Sequence, residues 1–328
     1  MDSAMKPNKR FQNRTRKQAP TISREDFMTA VKKLKIGPYE ICPLPTGIFG
    51  LDGGAMFGTV PKVLWEKSNP PDIKNRIQME ARGLLLKSPD MNIVIDTGNG
   101  ADFIAKYGEK LGTKFSEMYN ISPNGPSLEK SLKHHGLTFN DINAVILTHL
   151  HFDHAGGATT ERNGKVVPTF PNAKYYLQKK NLETAEKPNL RERASYFPSN
   201  FIPIAEAGQL VLLDGEKENL LPGVSVLISN GHTQAQQLVK VSDGKTNLLY
   251  CGDVVPTSSH VRLPWLMGYD LHPLLLMEEK QKYLGMAADQ SWYLYFEHDP
   301  YCDSALIERS GSDFAVKERF WLDEPKPA

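Results

Sequence analysis

The segment "THLHFDHAGG", Thr148 to Gly157, sets three histidines and an aspartate within six residues, directly after the apolar run "INAVIL". In an extended chain, side chains alternate between two faces, so His149 and His151 project to the same side and can reach one ion. Asp153 and His154 fall where such a strand should end, and can turn towards a neighbouring point to hold a second ion. Imidazole nitrogen and carboxylate oxygen are the donor set of zinc and related divalent metals. Packed together without an ion, these four side chains would lose their hydration with nothing in exchange. The segment therefore predicts a strand that feeds a metal-binding loop at the edge of a sheet.

Closing such a site takes donors from other segments, and three are of the right kind. His232 follows "LISNG", Asp253 follows "LLYCG" and His298 follows "LYFE", each at or just past the end of a predicted strand. A ligand there is held by the sheet yet faces an open cleft. Taken alone, His232 or His298 reads more readily as an ordinary surface or core histidine. Together they would commit five of the nine histidines to one place.

Around these points β-type segments recur: "YEICPL", "GLLLKS", "NIVIDTG", "NAVILTH", "KYYLQ", "QLVLL", "VSVLIS", "QQLVKV", "NLLYCGD" and "WYLYFEH". Turn signals at 88–90 and 242–244 make hairpins of several. Helical periodicity spans 101–111, 128–135, 179–186 and 273–288. Strands mixed with helices in this way predict sheets packed on each other with helices outside, a layered α/β or α+β architecture.

With 39 Lys and Arg against 38 Asp and Glu, the chain lacks the field that gathers nucleic acid or an anionic membrane, and small-molecule chemistry fits better. Cys42, Cys251 and Cys302 are odd in number and far apart, which argues against a disulfide framework or a zinc ribbon and for a reducing compartment. No apolar run has the length of a membrane span and no secretory h-region is present, so a soluble, cytoplasmic protein is expected. Residues 1–22 form a basic stretch with little to bury, expected to be a disordered tail. Ser23 reads as the cap of a short helix carrying Phe27, Val31 and Leu34 on one face. The remainder, 23–328, reads as a single domain.

These residues resemble the metallo-β-lactamase fold superfamily of binuclear hydrolases. "IDTG" at 95–98, "THLHFDHAGG" at 148–157, "GHT" at 231–233, "GD" at 252–253 and "EHD" at 297–299 follow that family's motif order. The resemblance covers about residues 40 to 300 and implies a four-layer αββα sandwich. It implies two divalent ions per chain, Zn²⁺ fitting best with Fe, Mn or Co also suited to such donors. One ion would be held by His149, His151 and His232, the other by Asp153, His154 and His298, with Asp253 bridging them. Asp96 resembles the family's aspartate that orients a ligand histidine or its loop; capping the "DTGNG" turn is a compatible role. In such sites a hydroxide shared by the metals is the nucleophile, and Asp253 or Asp153 is the catalytic group that returns a proton to the leaving alkoxide. No G-x-S-x-G elbow offers a serine alternative.

Within the superfamily, "LDGGAMFGTVPKVLWEK" at 51–67 resembles the N-terminal loop of quorum-quenching acyl-homoserine-lactone lactonases and of the methyl parathion hydrolase group. Met56, Phe57 and Trp65 would wall an apolar pocket, though each also suits a core. "PTSSHVRLPWLMGYD" at 256–270 is expected to lie over the metals, with His260 and Tyr269 orienting substrate and Trp265 and Met267 lining the pocket. Two departures stand out. Pro256 occupies the position where many lactonases carry a tyrosine, and "GHTQAQQ" replaces the usual "GH[ST]PGH", leaving His232 in place.

The expected activity is hydrolysis of N-acyl-homoserine lactones or another lactone or ester, with a phosphotriester or aryl ester as the alternative. Glyoxalase II and RNase Z chemistry rank lower, for want of a glutathione-binding helical domain or an extended basic surface. A metal-binding protein without turnover is the remaining class, disfavoured because all seven ligand positions are filled. The expected partner is the small-molecule substrate, with no nucleic acid and no membrane; a homodimer is implied by the resemblance alone.

Overall fold

The structure is a computed structural model that describes residues 30–122 and 124–323. The basic stretch 1–22 and most of the helix expected after Ser23 lie outside the described residues. Val31 and Leu34, expected on that helix, instead occupy the short strands Ala30–Val31 and Leu34–Ile36. Val31 pairs in parallel with Trp321 and Leu34 pairs with Ile41, so tertiary pairing overrides the local helical period.

Two large sheets face each other, one of eight strands and one of seven. The sequence explains why both are interior layers. In "LLL" at 84–86, Leu84 and Leu86 point into the space between the sheets while Leu85 points outward; Ile93 and Ile95 alternate with Val94 in the same way. A strand buried on both faces reads as a continuous apolar run. From the eight-stranded sheet Val226, Val239, Val241, Leu248, Tyr250 and Tyr295 meet this inner face.

The outer faces are covered by helices. Leu128 and Leu132 of the helix Leu128–His134, Ala185 of Lys179–Glu186 and Ile204 of Ile202–Glu206 pack against Leu85, Val94, Val145 and Tyr175. On the other side Leu276, Tyr283, Leu284 and Ala287 of the helix Pro273–Gln290 pack against Leu238, Leu249 and Leu294. The layers are thus αββα. Among the described residues no helix is long and apolar enough to cross a membrane.

The helix expected over 101–111 is two, Phe103–Tyr107 and Glu109–Tyr119. The break falls at Gly108, whose φ of 82° no helix accommodates.

Two features place the functional residues. Asn92–Ile95, Ala144–Ile146 and Lys174–Gln178 run parallel in one sheet, and Asn247–Tyr250 and Tyr293–Tyr295 run parallel in the other. Loops leaving their C-terminal ends, where open α/β sheets present their ligands, carry Asp96, the 148–154 segment, Asp253 and His298. Beside them the far ends of the hairpin Tyr39–Asp52 and Arg76–Lys87 form a separate apolar cluster with Met56, Phe57, Trp65, Phe115 and Phe152.

Candidate metal centre

The 148–157 loop is held from below by Asp96. This residue sits at φ 52°, in the left-handed region that aspartate tolerates better than most. Its Oδ1 accepts from the Thr148 amide at 2.7 Å, and its Oδ2 accepts from Thr148 Oγ1 at 2.6 Å and faces His154 Nδ1 at 3.0 Å. The chain then turns into the short helix Phe152–Ala155, with His151 at its cap. Gly157 lets the loop lie flat: a Cβ there would stand 2.4 Å from the Thr97 carbonyl oxygen.

Seven side chains from four segments converge at this point. His149, His151, His232 and Asp253 form one group whose potential ligand atoms lie within 4.8 Å of one another, and Asp153, His154 and His298 form another. Asp253 stands between them. Its Oδ2 is 3.1 Å from His232 Nε2 and 3.9 Å from His149 Nε2; its Oδ1 is 3.3 Å from His154 Nε2 and 3.2 Å from His298 Nε2. Asp153 reaches His298 Nε2 at 3.7 Å and His154 Nε2 at 4.0 Å.

Each inward-facing nitrogen is set by what holds the other side of its ring. His149 Nδ1 faces Thr148 Oγ1 at 3.0 Å, His232 Nδ1 faces Asp270 Oδ1 at 2.9 Å and His298 Nδ1 faces the Glu80 carbonyl at 2.8 Å. His154 Nδ1 lies between Asp96 and Glu297, the latter at 2.8 Å. In the tautomers this network assigns, Nδ1–H donates outward and Nε2 presents a lone pair inward, a common arrangement of metal-binding histidine. His151 is reversed: its Nδ1 faces His232 Nε2 at 3.2 Å while its Nε2 faces Glu192 Oε2 at 3.8 Å.

Charges act on one another across the cluster: against burial, Glu297 and Asp253 raise His154, and Asp253 raises His298 and lifts His232 to about 10. Burial drives the His149 imidazole well below its ordinary range, and the neighbouring His154 and His151 push it the same way. Burial alone would raise Asp253, but His154 and His232 outweigh it and hold the carboxyl well below its usual range. His149 Nε2, His151 Nε2 and Asp253 Oδ1 are buried without a hydrogen-bond partner. Such groups are costly to bury unless something coordinates them, and a cluster of bare imidazole and carboxylate donors fits divalent metal ions of the zinc class.

A cavity of about 270 Å³ opens over these groups. His151, Asp153, His232, Asp253 and His298 form its floor; Leu51, Met56, Phe152 and Met267 give it an apolar wall, and Tyr119, Arg191 and Tyr269 stand around it. Of the residues expected to shape a pocket, Met56, Met267 and Tyr269 do line it. Phe57, Trp65, His260 and Trp265 do not. Phe57 stacks between Trp65 and His260, at centroid distances of 5.3 and 4.7 Å, with the Trp265 ring edge-on at 5.5 Å. His260 is buried, its Nε2 donating to the Met56 carbonyl at 2.8 Å and its Nδ1 accepting from Thr257 at 2.7 Å. It buttresses the wall from behind rather than meeting a substrate.

Sequence reasoning missed the residues that back the centre. Glu192 accepts from Thr233 Oγ1 at 2.8 Å and Tyr196 OH at 3.2 Å while facing His151. Asp270 and Glu297 lie inside segments already singled out, "MGYD" and "EHD"; Glu297 adjoins the expected ligand His298, which was an available signal, whereas Asp270 adjoins no ligand in the chain. Glu192, in "RERASYF", carries no local signal. The loop bearing Asp270 is pinned by Lys280, whose Nζ donates to the carbonyls of Arg262 at 2.8 Å and Trp265 at 2.9 Å. The adjacent Glu279 accepts from the amides of Asn230 at 2.8 Å and Gly231 at 3.1 Å, fixing the turn before His232.

Comparison with known proteins places the family and the fold. The family model of the metallo-beta-lactamase superfamily matches residues 84–298. The crystal structure of a probable metal-dependent hydrolase from Staphylococcus aureus is similar at a TM-score of 0.79 and 27% identity, over 90% of this chain and 100% of that one. AidC, described as a dizinc quorum-quenching lactonase, is similar at a TM-score of 0.71 and 20% identity, over 90% of this chain and 99% of that one, a likeness of fold. An N-acyl homoserine lactonase from Bacillus cereus is 30% identical over 168 residues, 50% of this chain and 59% of its own. The chain spans about three fifths of the length of the curated relatives it matches.

Proposed function

The chain belongs to the metallo-beta-lactamase superfamily, and from that premise we propose that it is a binuclear metal hydrolase that opens lactones, N-acyl-homoserine lactones foremost. The observation that carries this reading is the placement of Asp253, with one carboxylate oxygen towards His149 and His232 and the other towards His154 and His298. A carboxylate so placed can join two ions. His149, His151 and His232 would hold one, and Asp153, His154 and His298 the other, Zn²⁺ being the best fit to these donors and Fe, Mn or Co the alternatives. When bound, such ions supply Lewis acidity, bringing the ionisation of a water close to neutral pH and polarising the scissile carbonyl.

The remaining work falls to the chain. Leu51, Met56, Phe152 and Met267 would receive an acyl chain and keep water from it. Tyr269 would stand in for the tyrosine lacking at Pro256. It lines the cavity at 39% exposure, and a phenol there is a hydrogen-bond donor at neutral pH. Ring opening leaves an alkoxide that takes up a proton; Asp153 or Asp253, both on the cavity floor, would take that proton from the attacking water and pass it to the leaving oxygen. The three separated cysteines are unpaired, in keeping with a reducing, cytoplasmic setting.

The aromatic rings of Tyr119, Phe152 and Tyr269 around the cavity favour one second reading, a phosphotriester or aryl ester substrate. Proton release measured on short- and long-chain homoserine lactones beside a chromogenic aryl phosphotriester separates the two. A higher kcat/KM on lactones is expected; the reverse order transfers the assignment to the second reading, and turnover of neither by the metal-loaded protein contradicts both.

A further inference from the structure

A second set of metal-type donors lies away from the cavity, where the helix Leu128–His134 ends beside the exit of the strand Asp313–Trp321. His134, His135 and Asp323 each offer a ligand atom, and these atoms lie within 4.8 Å of one another. His134 Nε2 is 3.4 Å from Asp323 Oδ2, and the two imidazole rings stand edge to face with centroids 4.9 Å apart. Ligands around a tetrahedral zinc are separated by about 3.3–3.5 Å, given metal–donor bonds near 2.0–2.2 Å. Rotation of these partly exposed side chains would have to close the difference.

The surroundings favour a cation there. A ring nitrogen of His135 is hydrogen-bonded to the Pro43 carbonyl, which leaves the opposite nitrogen as a lone pair, as in metal-binding histidines generally. The Lys87 ammonium nearby is engaged with the His135 carbonyl at 2.9 Å. With side-chain exposures of 41% at His134 and 34% at Asp323, an ion can enter directly from solvent.

We propose that His134, His135 and Asp323 form a separate site for one divalent ion of the zinc class, fastening the end of the last strand to this helix. The site goes beyond the hydrolase reading and does not depend on it. The test uses the full chain, stripped of metal and dialysed against micromolar free Zn²⁺, as wild type and as the variants His134→Gln and Asp323→Asn. Each variant is expected to retain one zinc fewer per chain than wild type, with ring-opening kcat/KM unchanged and a smaller zinc-induced rise in Tm. Equal zinc content in all three proteins overturns the site, as does a joint loss of zinc and hydrolysis in both variants. Because the readout is a difference between proteins, it stands whether or not the central cluster takes two ions.

Discussion

Asp253 has little reason to be buried except as a ligand. Its carboxylate is held ionised inside the protein by imidazoles on both sides, and one of its oxygens has no hydrogen bond. Replacing it by alanine should lower metal content and remove hydrolysis, while full activity in D253A would sink its bridging role. Asp270 touches the centre only through His232 Nδ1. Asp270→Asn should therefore weaken metal affinity or activity by about 10–100-fold, the usual cost of losing such an orienting partner; metal titration with kinetics would show it, and an unchanged affinity and rate would contradict it. His260 makes a different prediction. Burial depresses its pKa to about 3 from the ordinary 6.5, so as pH falls the unfolded chain takes up the proton first. Stability from this residue is complete above about pH 6.5 and is lost as pH falls towards 3, at up to about 1.4 kcal/mol per pH unit. Denaturant unfolding of wild type and His260→Gln across that window should show a shallower acid loss in the variant, and parallel curves would refute the assignment.

At the scale of elements, the helix Pro273–Gln290 does more than cover a sheet. Adjacent residues on it hold the two loops that shape the site, Glu279 the turn before His232 and Lys280 the segment that carries Met267, Tyr269 and Asp270. Lys280→Met strands buried carbonyls, and a stability loss on the order of 3 kcal/mol is expected by denaturant unfolding. With the loop loosened, KM for lactones should rise more than kcat falls; a variant as stable as wild type with the same KM would remove the helix from the account. The same scale shows what a sequence reveals. Strands such as Asn92–Ile95 were legible because both faces are buried and the apolar run is unbroken. Strands such as Lys217–Leu221, which buries none of its residues fully, and Asp313–Trp321, whose buried ends are separated by exposed charges, escaped. The extra helix break at Gly108 was also hidden, since a glycine within a helical period marks a stop only when its φ is known.

For the molecule as a whole, the layered architecture and the seven converging side chains were legible because those side chains sit beside strand ends, where local pattern and global position coincide. The cavity wall was half legible. Met56 faces the opening while Phe57, its neighbour, stacks between Trp65 and His260, and an apolar residue reads the same from either side of a wall. Glu192 was illegible, since it meets His151 and Thr233 only through tertiary folding. What the fold achieves is to bring four loops from two sheets to one point and to leave their donors bare. Metal content after dialysis against metal-free buffer, measured on wild type beside D253A, tests that claim most directly. Wild type should retain about two tightly held divalent ions per chain, with a clear deficit in the variant; wild-type protein that retains none, or a variant that retains as much, would rule out the two-ion centre.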